Sequence, residues 1–240
     1  MQTKFRMGVR GLIVAGVFSG SMLGATTVAQ TPETLGCDQV GTPAAAMDSM
    51  DHGSMDNGDA TPGMEMQQVE FDQMYIDMML PHHDSIVALA QVAMPLLEDP
   101  RLQEIAQIII DTQTAEQAEL EALRAEWYGS PDPAPMDDAM MSMMMEAMPG
   151  MGSAEEQMQI MDAQWQVQTF CAAEDYDLAF IDQTIPHHQM AIDASEIALD
   201  QAVHPELAAI AQEVIDAQQA EIDELETIRA ELTGEASPAA

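Results

Sequence analysis

The segment 71–93 reads FDQMYIDMMLPHHDSIVALAQVA, and the segment 176–198 reads YDLAFIDQTIPHHQMAIDASEIA. The second lies over the first at an offset of 105 residues, without a gap. After a short break the match resumes at the same offset. DPRLQEIAQIIIDTQTAEQAELEALRAEW (99–127) lies over HPELAAIAQEVIDAQQAEIDELETIRAEL (204–232). Asp77 falls on Asp182, Pro81 on Pro186, His82 and His83 on His187 and His188, Gln113 on Gln218, Glu116 on Glu221 and Arg124 on Arg229. A duplication of this length dictates that the fold is built from two copies of one unit.

Each copy reads as two helices. Phe71, Tyr75, Met78, His82, Ile86 and Leu89 recur at spacings of three and four, as do Leu102, Ile105, Ile109, Gln113, Glu116, Leu120, Leu123 and Trp127. That period places one stripe on one helix face. Asp99-Pro100 and His204-Pro205 read as a cap followed by a first-turn proline. A short turn before each makes the two helices of a copy antiparallel. A single hairpin cannot bury its stripe alone, so the expected fold is all-α, a four-helix bundle of two repeated hairpins.

The stripes carry misfits. His82 and His187 fall at core-facing positions, and His83 and His188 sit about 100° further round. Gln113, Glu116, Gln218 and Glu221 interrupt the stripe of the second helix. A buried carboxylate without a partner costs several kcal/mol, so these groups need each other, a metal or solvent. With 1.5 Å of rise per residue, the His-His pair and the Gln-x-x-Glu of one hairpin stand at about the same height. The expected result is a polar cluster at mid-bundle, with Asp77 and Asp182 about a turn and a half away. Pro81 and Pro186 either kink their helices beside the histidines or start new ones. Imidazole with carboxylate suits a transition metal. The competing reading is a metal-free His–Glu–Gln hydrogen-bond network that fixes hairpin pairing.

Outside the repeats the chain changes character. Residues 1–29 carry Lys4, Arg6 and Arg10, then an apolar run, then small residues, the pattern of an export signal; no stable membrane insertion is expected once it is removed. Its removal leaves Arg101, Arg124 and Arg229 against 42 acidic residues. Nucleic-acid binding is excluded on that charge, and the field concentrates cations. Most of these carboxylates read as solvated helix faces. Cys37 and Cys171, the two cysteines, read as one disulfide in an exported chain; a thiol that joins metal binding is the alternative.

Residues 30–68 read as disordered, with Met47, Met50, His52 and Met55 as soft ligands within reach of one another. Hairpins are expected at 69–129 and 161–234, joined by a Met-rich linker at 130–160, with a tail at 235–240. Thioether sulfur favours Cu(I), and by the same chemistry Ag(I). The linker methionines, Met136 to Met151, read either as disordered metal ligands or as a helix packing a Met face on the bundle. A methionine store that absorbs oxidants is a third reading.

The paired pattern of Tyr176–Asp182 followed by Ile185–Ser195, repeated at Phe71–Asp77 and Leu80–Ala90, resembles the family called domain of unknown function 305. The resemblance covers both repeats. It implies a ferritin-like four-helix bundle that is exported and handles copper or silver. It also implies a methionine two residues after the aspartate; Met79 supplies it, and Thr184 stands there in the second repeat. Leu89 and Ala194 occupy positions where relatives carry a further methionine. The expected function is sequestration or transfer of Cu(I), with His82, His83, His187 and His188 as ligands and Glu116 and Glu221 in or behind the coordination sphere. Expected partners are metal ions, a protein that exchanges metal, and a second copy of the chain. The rivals are a bundle metalloenzyme with redox activity (Cu(I) oxidation or peroxide removal) and a metal-free interaction module.

Overall fold

The computed structural model describes Cys37 and residues 71–234. The expected export signal, the segment 30–68 apart from Cys37 and the tail 235–240 lie outside the described residues. Seven helices and no strand are found among the described residues: α1 (Phe71–Ala93), α2 (Pro100–Tyr128), α3 (Asp138–Ala147), α4 (Ala154–Met161), α5 (Ala163–Cys171), α6 (Tyr176–Gln201) and α7 (Pro205–Thr233). The all-α fold expected from the repeat is the fold observed.

Local chemistry sets the long helices. Asp99 caps α2 by accepting from the Arg101 N–H, and Pro100 follows. The helix stops at Gly129, whose φ of 85° lies where residues bearing a Cβ are strained. α7 starts at Pro205 and stops before Gly234 (φ 72°). Pro81 and Pro186 both lie inside uninterrupted helices, so neither starts a new one.

The hairpins meet through their first helices. α2 packs chiefly on α1 and α7 chiefly on α6, while α1 and α6 lie against each other at the centre. They run antiparallel: Tyr75 Oη meets Ser195 Oγ at 2.8 Å, and His82 Nε2 meets the His187 carbonyl at 3.0 Å. The sequence separation of that second contact, 105 residues, is the repeat offset. Equivalent residues therefore touch, which places the pseudo-twofold axis of the duplication between His82 and His187.

Each hairpin also caps the other. Asp72 of α1 accepts from the Val203 and His204 N–H groups at 2.9 and 2.8 Å, ahead of α7. Asp177 of α6 accepts from the Glu98 and Asp99 N–H groups at 2.8 and 3.0 Å, ahead of α2. His204, expected to cap α7 itself, makes no capping side-chain bond. It donates instead from Nδ1 to Asp72 at 2.6 Å and stacks on Trp127.

The linker departs from the disordered reading. Asp137 caps α3 through the Ala139 and Met140 N–H groups, and Ser153 and Glu156 form a capping box on α4. Met140, Met141, Met144, Met148 and Met151 are buried in one cluster with Met74, Met78, Met79 and Met190. Thioether chains bend to fill an irregular gap at this end of the bundle, so apolar burial recruits the segment. α5, inside the expected second repeat, is a separate helix against α1 and α6. It carries Cys171, which is disulfide-bonded to Cys37; the open question of the cysteines closes on that pairing.

Candidate metal centre

The apolar interior is divided in two. One cluster holds Met74–Leu80 of α1 with Met190–Ala198 of α6, and the other holds Ile86–Ala93 with Phe180 and Ile181. Between them, at mid-height, lie His82, His83, His187 and His188, all with no solvent exposure. The His82 and His187 rings approach to 3.7 Å between centroids.

Their hydrogen-bond partners decide where the ring protons sit. His82 Nε2 faces the His187 carbonyl, which only accepts, so Nε2 carries the hydrogen. His83 Nε2 meets Glu116 Oε2 at 2.9 Å and His188 Nε2 meets Glu221 Oε2 at 2.6 Å; carboxylates accept, so these also donate. Ser85 Oγ lies 2.8 Å from the His82 carbonyl and 2.7 Å from the Ile160 carbonyl. Its hydrogen goes to a carbonyl, and its lone pair takes the His187 Nε2–H at 2.9 Å. All four rings thus hold a hydrogen on Nε2. Each Nδ1 is buried without a hydrogen-bond partner in the protein.

Burial pushes the His82 pKa well below its ordinary value, and the His83 charge adds to this against the bond to the His187 carbonyl. Burial does the same at His187, reinforced by His82 and His188. Both rings are therefore neutral at neutral pH and present lone pairs.

The other expected residues divide. Gln113 and Gln218 are buried, and both amide atoms of each lack partners; the Thr184 hydroxyl is in the same condition. Met79 is fully buried in the methionine cluster. Glu116 and Glu221 each stay with the histidine of their own hairpin. Asp77 is engaged by Arg124 at 2.5 Å and Asp182 by Arg229 at 2.7 Å, so both carboxylates face cations of the chain itself. Met47, Met50, His52 and Met55 lie outside the described residues. Among the described residues no three His, Cys, Asp or Glu side chains gather into a metal-holding group. A site here draws on at most two such donors and completes itself with others.

Ser85 and the Ile160 carbonyl were not legible as site residues. Ser85 falls on Met190 in the other repeat, so matching the copies conceals it. Ile160 contributes a backbone atom, which no motif reports.

A family model described as a domain of unknown function, DUF305, matches residues 72–229. The chain belongs to the DUF305 family. The expected kinship therefore holds across both repeats. Among solved structures, CopM in its Cu(I)-bound form is 27% identical, with a TM-score of 0.53 over 67% of this chain and 96% of that one. A DUF305 protein from Streptomyces coelicolor is 17% identical, with a TM-score of 0.54 over 71% of this chain and 98% of its own, and shares the fold. No curated protein sequence matches. No helix among the described residues is long and apolar enough to cross a membrane.

Proposed function

We propose that this DUF305 protein is exported and binds Cu(I), and by the same soft chemistry Ag(I), sequestering the ion or passing it on in metal tolerance. The observation that carries the reading is the set of four buried imidazoles, each with Nε2–H held by an acceptor and Nδ1 bare. Metal-ligating histidines are oriented in this way, by a carboxylate, carbonyl or hydroxyl on the far nitrogen. A metal-free network accounts for less, since it leaves the Gln113 and Gln218 amides without partners at about 1–3 kcal/mol per buried group. An ion that asks for few ligands fits a layer that assembles no three acidic, thiol or imidazole donors, and Cu(I) is such an ion with a preference for sulfur and imidazole. Kinship with CopM, solved with Cu(I), supports the same metal.

In this reading no more than two of His82, His83, His187 and His188 hold any one ion, Met79, Gln113 and Gln218 supply further donors, and Glu116, Glu221 and Ser85 orient the rings. Met47, Met50, His52 and Met55 capture metal ahead of the bundle. Asp77 and Asp182 fix arginines beside the layer. The disulfide and the basic-then-apolar start of the chain support export to an oxidising compartment. A metal-exchange protein is the partner this role requires.

Cu(I) titration against a competing chelator tests it, using the wild type, His82→Ala with His187→Ala, and a chain in which Met47, Met50 and Met55 become Leu. The histidine changes should remove the tightest binding and the methionine changes should leave it. Unaltered affinity in the histidine variant would refute the buried centre.

A further inference from the structure

The fold sorts the linker methionines. Met140, Met141, Met144, Met148 and Met151 are taken into the core, and Met145 Sδ accepts from Gln157 Nε2 at 3.0 Å. Three methionines around the linker take a different place. Met136, Met158 and Met161 line a surface recess of about 200 Å³ together with Asp162 and Pro81. Met158 is 54% exposed, the most exposed methionine among the described residues with large apolar exposure. Asp162 ends α4 and caps α5 by accepting from the Trp165 N–H at 3.0 Å, so its carboxylate is fixed at the rim.

Three methionines from two separate parts of the chain line this recess; Met136 and Met161 also pack on the core, while Met158 stays largely in solvent. Thioether sulfur is a weak acceptor for hydrogen bonds and a poor ligand for hard ions, and it is a good ligand for a soft one. A carboxylate beside the thioethers neutralises one positive charge and no more. The surrounding acidic surface raises the local concentration of cations. Pro81 lines the recess, and the next residue is His82 of the buried layer.

We infer that Met136, Met158, Met161 and Asp162 form a surface binding site for a soft monovalent cation, Cu(I) or Ag(I), at the outer side of the buried histidine layer. The site deepens the reading of the chain as a soft-metal binder, on which it rests, by giving the ion a place to dock from solvent. Along α1 it neighbours the histidine layer directly. Its donors lie between the two matched copies, after Trp127 and before Tyr176, so the docking place is single while the histidine pairs are double.

The test uses the full chain labelled with methyl-13C methionine, each methyl assigned by a single Met→Leu substitution, and titrated with Ag(I) alone as a redox-inert probe. The Met136, Met158 and Met161 methyls should shift together and saturate at one concentration. Asp162→Asn should weaken that titration roughly 10-fold and leave the response of the histidine rings in place. Three methyls that stay still while the rings respond would overturn the surface site and spare the buried centre. Three methyls that respond while the rings do not would sustain the surface site and sink the buried one. An equal response to Zn(II) would overturn the selectivity on which the assignment rests.

Discussion

At the scale of single residues, burial makes His82 and His187 acid-sensitive. Both have pKa values well below the ordinary 6.5. Above that value neither the folded nor the unfolded chain binds the proton, and their contribution to stability is intact. As the pH falls below 6.5 the unfolded chain takes protons that the folded chain refuses, so stability drops until the folded pKa values are reached. The slope is up to about 1.4 kcal/mol per pH unit for each ring. We expect the Tm of metal-free protein to fall between about pH 7 and pH 5, before the carboxylates titrate, and His82→Gln with His187→Gln to flatten that fall. Two matched ion pairs give a second prediction. Asp77–Arg124 is buried, with side chains 0% and 6% exposed, whereas Asp182–Arg229 is 54% and 41% exposed. Asp77→Asn strands a buried guanidinium and should cost about 3–5 kcal/mol. Asp182→Asn should cost below about 1 kcal/mol. Chemical denaturation of the two variants measures both, and equal losses would contradict the burial difference. The repeat made these aspartates visible as a matched pair; their burial, and the arginines that take them, belong to the tertiary structure.

At the scale of elements, the difference between those pairs traces to the linker. Arg124 Nη1 also donates to the Ser130 carbonyl at the start of that segment, and the chain beyond it covers this end of the bundle. Met144 of α3 is fully buried, so Met144→Ala should destabilise by about 2–5 kcal/mol. A linker that only carried metal ligands would show almost no loss in the same denaturation experiment. The helix was partly legible: Met140, Met141, Met144, Met145 and Met148 keep helical spacing, with an aspartate before them. Composition obscured it, because a run of methionine, glycine and proline reads equally as unstructured chain. The long helices were fully legible, since their apolar period is strong and occurs twice. The crossed caps were not. Asp72 and Asp177 are identical in both copies, yet periodicity within a helix says nothing of the N–H groups they meet in the other hairpin.

At the scale of the whole molecule, duplication explains where the site is. When two copies of a hairpin pack about a twofold axis, residues near that axis meet their own equivalents. His82 and His187 do so, and the layer around them separates two apolar clusters. Rise per residue in an antiparallel hairpin was enough to place the imidazoles and the Gln-x-x-Glu pairs at one height. It was not enough to say which pairs close: each glutamate serves its own hairpin, and Ser85 breaks the symmetry by accepting from the His187 ring and from no other histidine ring. That one-sided serine makes the two halves of the centre chemically distinct, as Met79 and Thr184 also do. Metal binding at this centre turns on which ring nitrogen is bare. Long-range 1H–15N correlation spectra of the histidine rings, recorded metal-free and with Cu(I), read this directly. We predict hydrogen on Nε2 of all four rings and neutral His82 and His187 before loading, with a large shift of the Nδ1 resonances on loading. Hydrogen on Nδ1 of His82 or His187 in the metal-free protein, or Nδ1 resonances that ignore the metal, would contradict it.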